Sequence, residues 1–153
     1  MRYFLLILCL LSFNQIASAK NVYFSEGIGA ADKIIYYSAG IDVADRVIYF
    51  SAGIGVADTV IYISSNCSNE DFKVVQSISS SNFVIYHSAG IRAADEVIYL
   101  SAGINVAEEV IYLSSSSGVA DYKICIPNAS YLSDEGIEEI VASIFSTFIK
   151  PLR

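Results

Sequence analysis

Residues 47–59, VIYFSAGIGVADT, carry the pattern that decides the fold, and residues 84–96 (VIYHSAGIRAADE) and 97–109 (VIYLSAGINVAEE) repeat it almost unbroken. Aligned on their tyrosines, nine such blocks follow one another at 13-residue intervals, except that the Lys73 block is two residues short. Self-similarity at a short fixed period is typical of repeat proteins, whose units cover one another's apolar surface. The blocks start at Asn21, Ile34, Val47, Val60, Lys73, Val84, Val97, Val110 and Lys123.

Each block begins with β-branched and aromatic residues, which favour a short strand. Because strand side chains alternate, Val47 and Tyr49 face one way while Ile48 and Phe50 face the other, and both faces are apolar. That pattern is typical of a strand covered on both sides. The rest of the block has a glycine that tolerates a positive φ and enough residues for one helical turn. The sequence therefore predicts an α/β repeat of short strands alternating with helical turns.

The period ends after Pro127, where the sequence predicts one amphipathic helix from Ser133 to Lys150. Ser133 is placed to cap its N-terminus, and acidic residues follow in the first turn, where the helix dipole favours them. We expect its apolar face, which includes Ile140, Ile144 and Phe148, to pack against the repeats. A helix lying on a membrane surface would carry basic residues on its polar face, whereas this polar face is acidic.

The N-terminus has the features of an export signal: Arg2, an apolar run, and the small residues Ala17-Ser18-Ala19. Cleavage is predicted between Ala19 and Lys20, giving a periplasmic or secreted protein. The apolar run is shorter than the roughly 20 residues that span a bilayer, so no transmembrane anchor is predicted. The chain thus divides into a signal peptide (1–19), a repeat domain of nine roughly 13-residue units (20–126) and a C-terminal helical segment (127–153).

The charge balance bears on the partners. The chain has 16 acidic and 9 basic residues and a net charge of −7, and removing Arg2 makes it one unit more negative. Nucleic acid is disfavoured, because its recognition requires clustered Lys and Arg. The partner is otherwise unknown, and a protein or cell-envelope partner is compatible with these properties.

Two dipeptides recur in fixed places: Ile48-Tyr49 with Ala57-Asp58, Ile85-Tyr86 with Ala94-Asp95, and Ile35-Tyr36 with Ala44-Asp45. With these pairs the sequence resembles the 7(1) septoil knot domain family over about residues 21–126. The resemblance implies a closed or toroidal array whose chain is knotted with seven crossings. The Ser-Ala-Gly-Ile stretch departs from the family, which has more polar residues there. The family offers no catalytic residue or ligand to transfer.

An acidic residue recurs at the twelfth position of most blocks. Calcium binds carboxylate oxygens, but each turn offers only one carboxylate among apolar neighbours, whereas calcium sites draw several ligands from one or adjoining loops. A structural role, in which each side chain bonds backbone amides of the turns, is therefore predicted, with no cofactor or metal. The repeated acids are Asp32, Asp45, Asp58, Asp71, Asp95, Glu108 and Asp121.

His87 and a row of tyrosines are the other candidates for chemistry. His87 fills the slot of Phe50 and Leu100 in sister blocks, which indicates a tolerated substitution, since a catalytic base also needs a positioned partner. The tyrosines are expected to pack, the alternative being stacking on sugars. The prediction is a non-enzymatic structural or binding module, the alternative a hydrolase or metal-dependent enzyme using the repeated acids or His87. The repeated tyrosines are Tyr23, Tyr36, Tyr49, Tyr62, Tyr86, Tyr99 and Tyr112.

Two cysteines follow the signal peptide, Cys67 and Cys125, and an even pair in an oxidising compartment predicts a disulfide. Cys67 replaces the turn isoleucine seen at Ile54, and Cys125 replaces the strand tyrosine seen at Tyr49. Both slots are expected to be apolar and inward-facing. The alternative is a pair of buried free thiols.

Overall fold

A computed structural model describes residues 20–153, so the predicted signal peptide lies outside the described residues. Nine strands form between Lys20 and Cys125, one for each block of the repeat. Where a block has the complete valine, isoleucine and tyrosine set, all three residues lie within its strand. The strands are β1 (Lys20–Ser25), β2 (Lys33–Tyr37), β3 (Arg46–Phe50), β4 (Thr59–Ser64), β5 (Phe72–Val74), β6 (Phe83–His87), β7 (Glu96–Leu100), β8 (Glu109–Ser114) and β9 (Tyr122–Cys125).

The strands form a closed barrel in which neighbours are parallel, in the order β1-β5-β9-β4-β8-β3-β7-β2-β6 and back to β1. Each strand pairs with strands four or five repeats away, so Val22 of β1 lies opposite both Val74 and Phe83. Consecutive strands lie two places apart, and the chain therefore passes around the barrel twice. Closure leaves the sheet without an edge that could pair with another chain.

The α/β classification is wrong, because the connections within the barrel are not α-helical. A connection such as residues 51–58 has only eight residues in which to return along the barrel, so it forms no more than a three-residue 3₁₀ turn. Gly53 is extended (φ −136°), and no described glycine has a positive φ. The turns therefore do not adopt the left-handed conformation that glycine would permit. The turns are Ile28–Ala30, Ile41–Val43, Ile54–Val56, Ile78–Ser80, Ile91–Ala93, Ile104–Val106 and Ser117–Val119.

The connections form an outer layer around the barrel. We number them L1 to L8, so that L3 joins β3 to β4. The L3 turn packs on β8 and the L5 turn packs on β1, and Cys67 in L4 is bonded to Cys125 of β9. In each case the connection crosses the strand that lies between the two strands it joins. Applied to all eight connections, this rule leaves β5 as the strand that none of them crosses.

The interior of the barrel is filled by a layer of isoleucines and by the C-terminal helix. Ile35, Ile48 and their equivalents in the other long strands are completely buried. Helix α1 (Asp134–Ile144) continues as a π-helical turn over Phe145–Ile149. The six consecutive residues 141–146 are at most 1 % exposed, and a helix buried on every side must lie within the core.

Contacts at both ends place the helix along the barrel axis, running opposite to the strands. The Tyr37 hydroxyl, at the carboxyl end of β2, donates to the Glu139 carbonyl. Phe148, near the other end of the helix, packs on Phe72 and Phe83, at the start of β5 and β6.

The predictions for this helix are largely confirmed. Ser133 Oγ accepts from the Gly136 amide, and Ile144 lies in the core with Ile140 and Phe148 packed against it. The helix packs against the repeats from inside, where it fills the barrel. No helix within residues 20–153 is both long enough and apolar enough to span a bilayer.

Candidate functional site

Each repeated acid is hydrogen-bonded to the backbone of a distant strand. The Asp45 carboxylate accepts from the Val97 amide at 2.8 Å, while the Asp45 amide donates to the Val97 carbonyl. The other repeated acids make the same pair of bonds, with partners 52 or 61 residues away. The bonded amides thus belong to strands four or five repeats away and not to the acid's own turn. Each acid is exposed and immediately precedes a strand, so the acids ring one end of the barrel.

Replacing Asp45 by alanine should lower the free energy of unfolding by about 1–2 kcal/mol, since a strand amide loses its charge-assisted hydrogen bond. Asp45→Asn keeps an acceptor oxygen and should lose less than half as much. Urea denaturation of both variants measures the difference. Equal losses in the two variants, or none in either, would contradict the proposed bond.

His87 lies inside the barrel, where its Nε2 is 2.7 Å from Ser143 Oγ. The Tyr37 hydroxyl is 2.6 Å from the same Ser143 oxygen, and the rings of Phe24 and Tyr37 meet the imidazole edge-on. Burial lowers the pKa of His87 from 6.5 to about 4, so the ring is neutral at pH 7. Ser143 is fully buried on the central helix, where the barrel wall separates it from solvent. This Ser–His contact therefore joins the helix to the wall.

The lowered pKa of His87 predicts a pH-dependent stability. The unfolded chain binds the proton more tightly than the folded protein, so the neutral ring's contribution is complete above pH 6.5 and is lost between pH 6.5 and 4. Relative to His87→Leu, the wild type should lose up to about 3 kcal/mol over that window. Burial also raises the pKa values of Glu138 and Glu139, an effect of opposite sign that both proteins share.

The measurement is urea denaturation of the two proteins at several pH values from 7 to 4. His87→Leu is the matched variant because Leu100 fills the same slot in the next block. Parallel stability curves for the two proteins would show that His87 does not carry the effect.

A buried ionic network lies at the opposite end of the lumen. Glu96, which is 1 % exposed, accepts from Lys33 Nζ at 2.5 Å and from Arg46 Nε at 2.9 Å. Arg46 also donates to the Lys150 carbonyl at the end of the helix, and the Lys150 ammonium pairs with Glu109. A cation at a helix C-terminus stabilises the dipole. The network thus links the helix to four strands of the wall, β2, β3, β7 and β8.

The predicted disulfide is confirmed: Cys67 and Cys125 are bonded, with Cα atoms 5.4 Å apart. The prediction that both slots face inward is wrong for the slot of Cys67. The turn isoleucine slot faces outward, since Ile54 is 47 % exposed and Ile104 is 39 % exposed. Cys125 is fully buried because L4 crosses directly over it.

The repeated tyrosines lie on the outer face of the barrel, half-buried beside the connections. Tyr86, for example, lines an open groove of about 530 Å³ between Ile28 of L1 and Ile91 of L6. Among residues 20–153 no three Asp, Glu, His or Cys side chains are grouped so that they could hold a metal ion.

The shortened repeat opens a second cleft, of about 320 Å³. Its walls include Phe24, Val74, Ile126 and Ile140, and Gln76 lies at its edge. Because β5 ends at Val74, the barrel wall is lower at this point than elsewhere. The cleft has apolar walls and a polar rim, as small-ligand sites commonly do.

The surface that sequence reasoning missed is the exposed side of the turns. The slot of the turn isoleucine is predicted to face inward, yet the isoleucines and valines of the turns are 39–55 % exposed. No signal in a single block marks them as exposed, because the turn has the hydrophobicity of a buried segment. They are Ile28, Ile41, Val43, Ile54, Val56, Ile78, Ile91, Ile104, Val106 and Val119.

Comparison of the chain with protein-family models, with curated proteins and with solved structures finds no match.

Proposed function

We propose that the protein is an exported, non-enzymatic domain that serves as a robust structural or binding module. The observation that carries this proposal is the closed barrel filled by the chain's own C-terminal helix. A closed sheet has no edge strand that can separate from it, and the helix in the filled lumen cannot leave the core without opening the barrel.

Export is supported by the disulfide, because such bonds persist in oxidising compartments such as the periplasm and the extracellular space. Cleavage between Ala19 and Lys20 would release a chain that begins at β1, whose bounds are Lys20–Ser25. The partner under this proposal is a protein or a cell-envelope component.

Membership of the 7(1) septoil knot family is also a proposal. It is supported by the double passage of the chain around the barrel and by the regular crossing of each connection over a strand. Tracing the chain in an experimental structure tests it: seven crossings are expected, and an unknotted trace would overturn it.

The alternative, a hydrolase or metal-dependent enzyme using the repeated acids or His87, has less support. The acids lie on separate turns and each bonds a strand amide. His87 contacts Ser143 within the filled lumen and lines neither the groove nor the cleft described above.

Limited proteolysis of the mature, oxidised protein tests the proposed robustness. We expect residues 20–126 to resist trypsin and proteinase K under native conditions and in moderate urea. A sample reduced and denatured before digestion is the control and should be degraded fully. Rapid digestion of the oxidised, folded protein within its connections would overturn the proposal.

A further inference from the structure

The order of the strands brings together connections that are far apart in sequence. Because each connection crosses the strand between those it joins, L3, L7, L2, L6 and L1 lie side by side over β8, β3, β7, β2 and β6. The groove lined by both Ile28 of L1 and Ile91 of L6 shows one such pair of neighbours directly.

This arrangement gives the barrel two chemically different sides. L3, L7 and L2 each expose an isoleucine and a valine, and L6 and L1 each expose an isoleucine and an alanine, which together we name the apolar face. The opposite side is formed by L4, L5 and L8, whose exposed turn residues are mostly serine and asparagine. The largest apolar patches on soluble proteins commonly mark interaction sites.

Two charges lie within the apolar face. The residue at the centre of each turn is Gly55 in L3, Asn105 in L7, Asp42 in L2, Arg92 in L6 and Gly29 in L1. The acid and the base thus occupy equivalent positions on neighbouring connections. Both are exposed, and neither takes part in an ion pair within residues 20–153.

We propose that two copies of the chain pair through the apolar face, about a two-fold axis between L2 and L6. Asp42 and Arg92 lie at the same height on neighbouring connections. A two-fold axis midway between them therefore brings the acid of one copy opposite the base of the other. Asp42 of each copy then faces Arg92 of the partner subunit, so the face is complementary to itself in charge as well as apolar. A symmetric dimer of this kind is the commonest oligomer of soluble proteins.

The pairing of Asp42 with Arg92 of the partner subunit sets the orientation of the two barrels. The repeated acids ring only one end of the barrel, the end at which the strands begin. An axis perpendicular to the barrels would place Asp42 opposite Asp42 of the partner subunit, so the axis runs parallel to the barrels and the acidic ends of the two copies lie side by side. An anionic membrane is a poor occupant of the same face, because the chain carries a net charge of −7 and Arg92 is the face's one base.

Charge exchange across the axis tests the proposal. The oxidised wild type should sediment as a dimer, and the single variants Asp42→Arg and Arg92→Asp should each weaken the dimer by about tenfold or more through like-charge contacts. The double variant Asp42→Arg/Arg92→Asp restores both pairs and should sediment as the wild type does. Ser79→Arg, at the equivalent position on the serine-rich side, is the control and should leave the dimer unchanged.

A wild type that remains monomeric up to high micromolar concentration would overturn the proposal, as would a double variant that stays as weak as the single ones. Far-ultraviolet circular dichroism of each variant separates loss of pairing from loss of fold. The dimer does not depend on the proposed function. A protein that is monomeric but still resists protease would refute the dimer and leave the proposed function standing.

Discussion

Replacing Phe145 by alanine should lower the free energy of unfolding by about 3–5 kcal/mol, as expected for truncating a large side chain in a core. Phe145 is 1 % exposed on the central helix, and the Arg46 guanidinium lies over its ring. The wall around it is a closed, hydrogen-bonded barrel that cannot collapse inward to fill the space. The loss should therefore lie at the upper end of that range.

Urea denaturation of the oxidised protein measures the Phe145 effect. Leu152→Ala is a suitable control, because Leu152 follows the helix and is 47 % exposed, so its loss should be below about 0.5 kcal/mol. A loss of less than about 1 kcal/mol for Phe145→Ala would mean that the helix does not fill the barrel.

Removing the disulfide should lower the free energy of unfolding by about 4 kcal/mol. The bond joins residues 58 positions apart, so it restricts the unfolded chain strongly, and it also holds L4 over β9. The double variant Cys67→Ala/Cys125→Ala avoids placing a hydroxyl in the buried slot of Cys125. Reduction of the wild type by a thiol should give a comparable loss, and an unchanged urea midpoint after complete reduction would refute the stabilising role.

Local features were predictable from the sequence because they depend on neighbouring residues. The alternation of Val47, Ile48 and Tyr49 defines a strand with two covered faces, and the Ser133 cap marks the start of the helix. The disulfide was predictable because Cys67 and Cys125 each replace the residue that other blocks have at the same position of the repeat. The α/β assignment failed because a connection of eight residues, although long enough for one helical turn, must also return along the barrel and so forms only a three-residue 3₁₀ turn.

The arrangement of the strands was not predictable from the repeat, because nearly identical blocks offer nearly identical pairing partners. Nothing near Asp45 indicates that its carboxylate bonds Val97 rather than an amide of its own turn. The exposure of Ile54 has the same origin, since only the finished barrel shows which side of a connection faces solvent. The apolar face likewise exists only because distant connections are interleaved.

The pairing of each strand with strands four and five repeats away has a consequence for biosynthesis. Partners in the sheet are 52 or 61 residues apart, so β1 has no neighbour until β5 leaves the ribosome. At about 5–20 residues per second, β1 waits roughly 3–10 s with its backbone groups unpaired. Non-local pairing also slows the folding step itself. If the chain is exported as proposed above, its sheet can begin to form only after about half of the barrel has crossed the membrane.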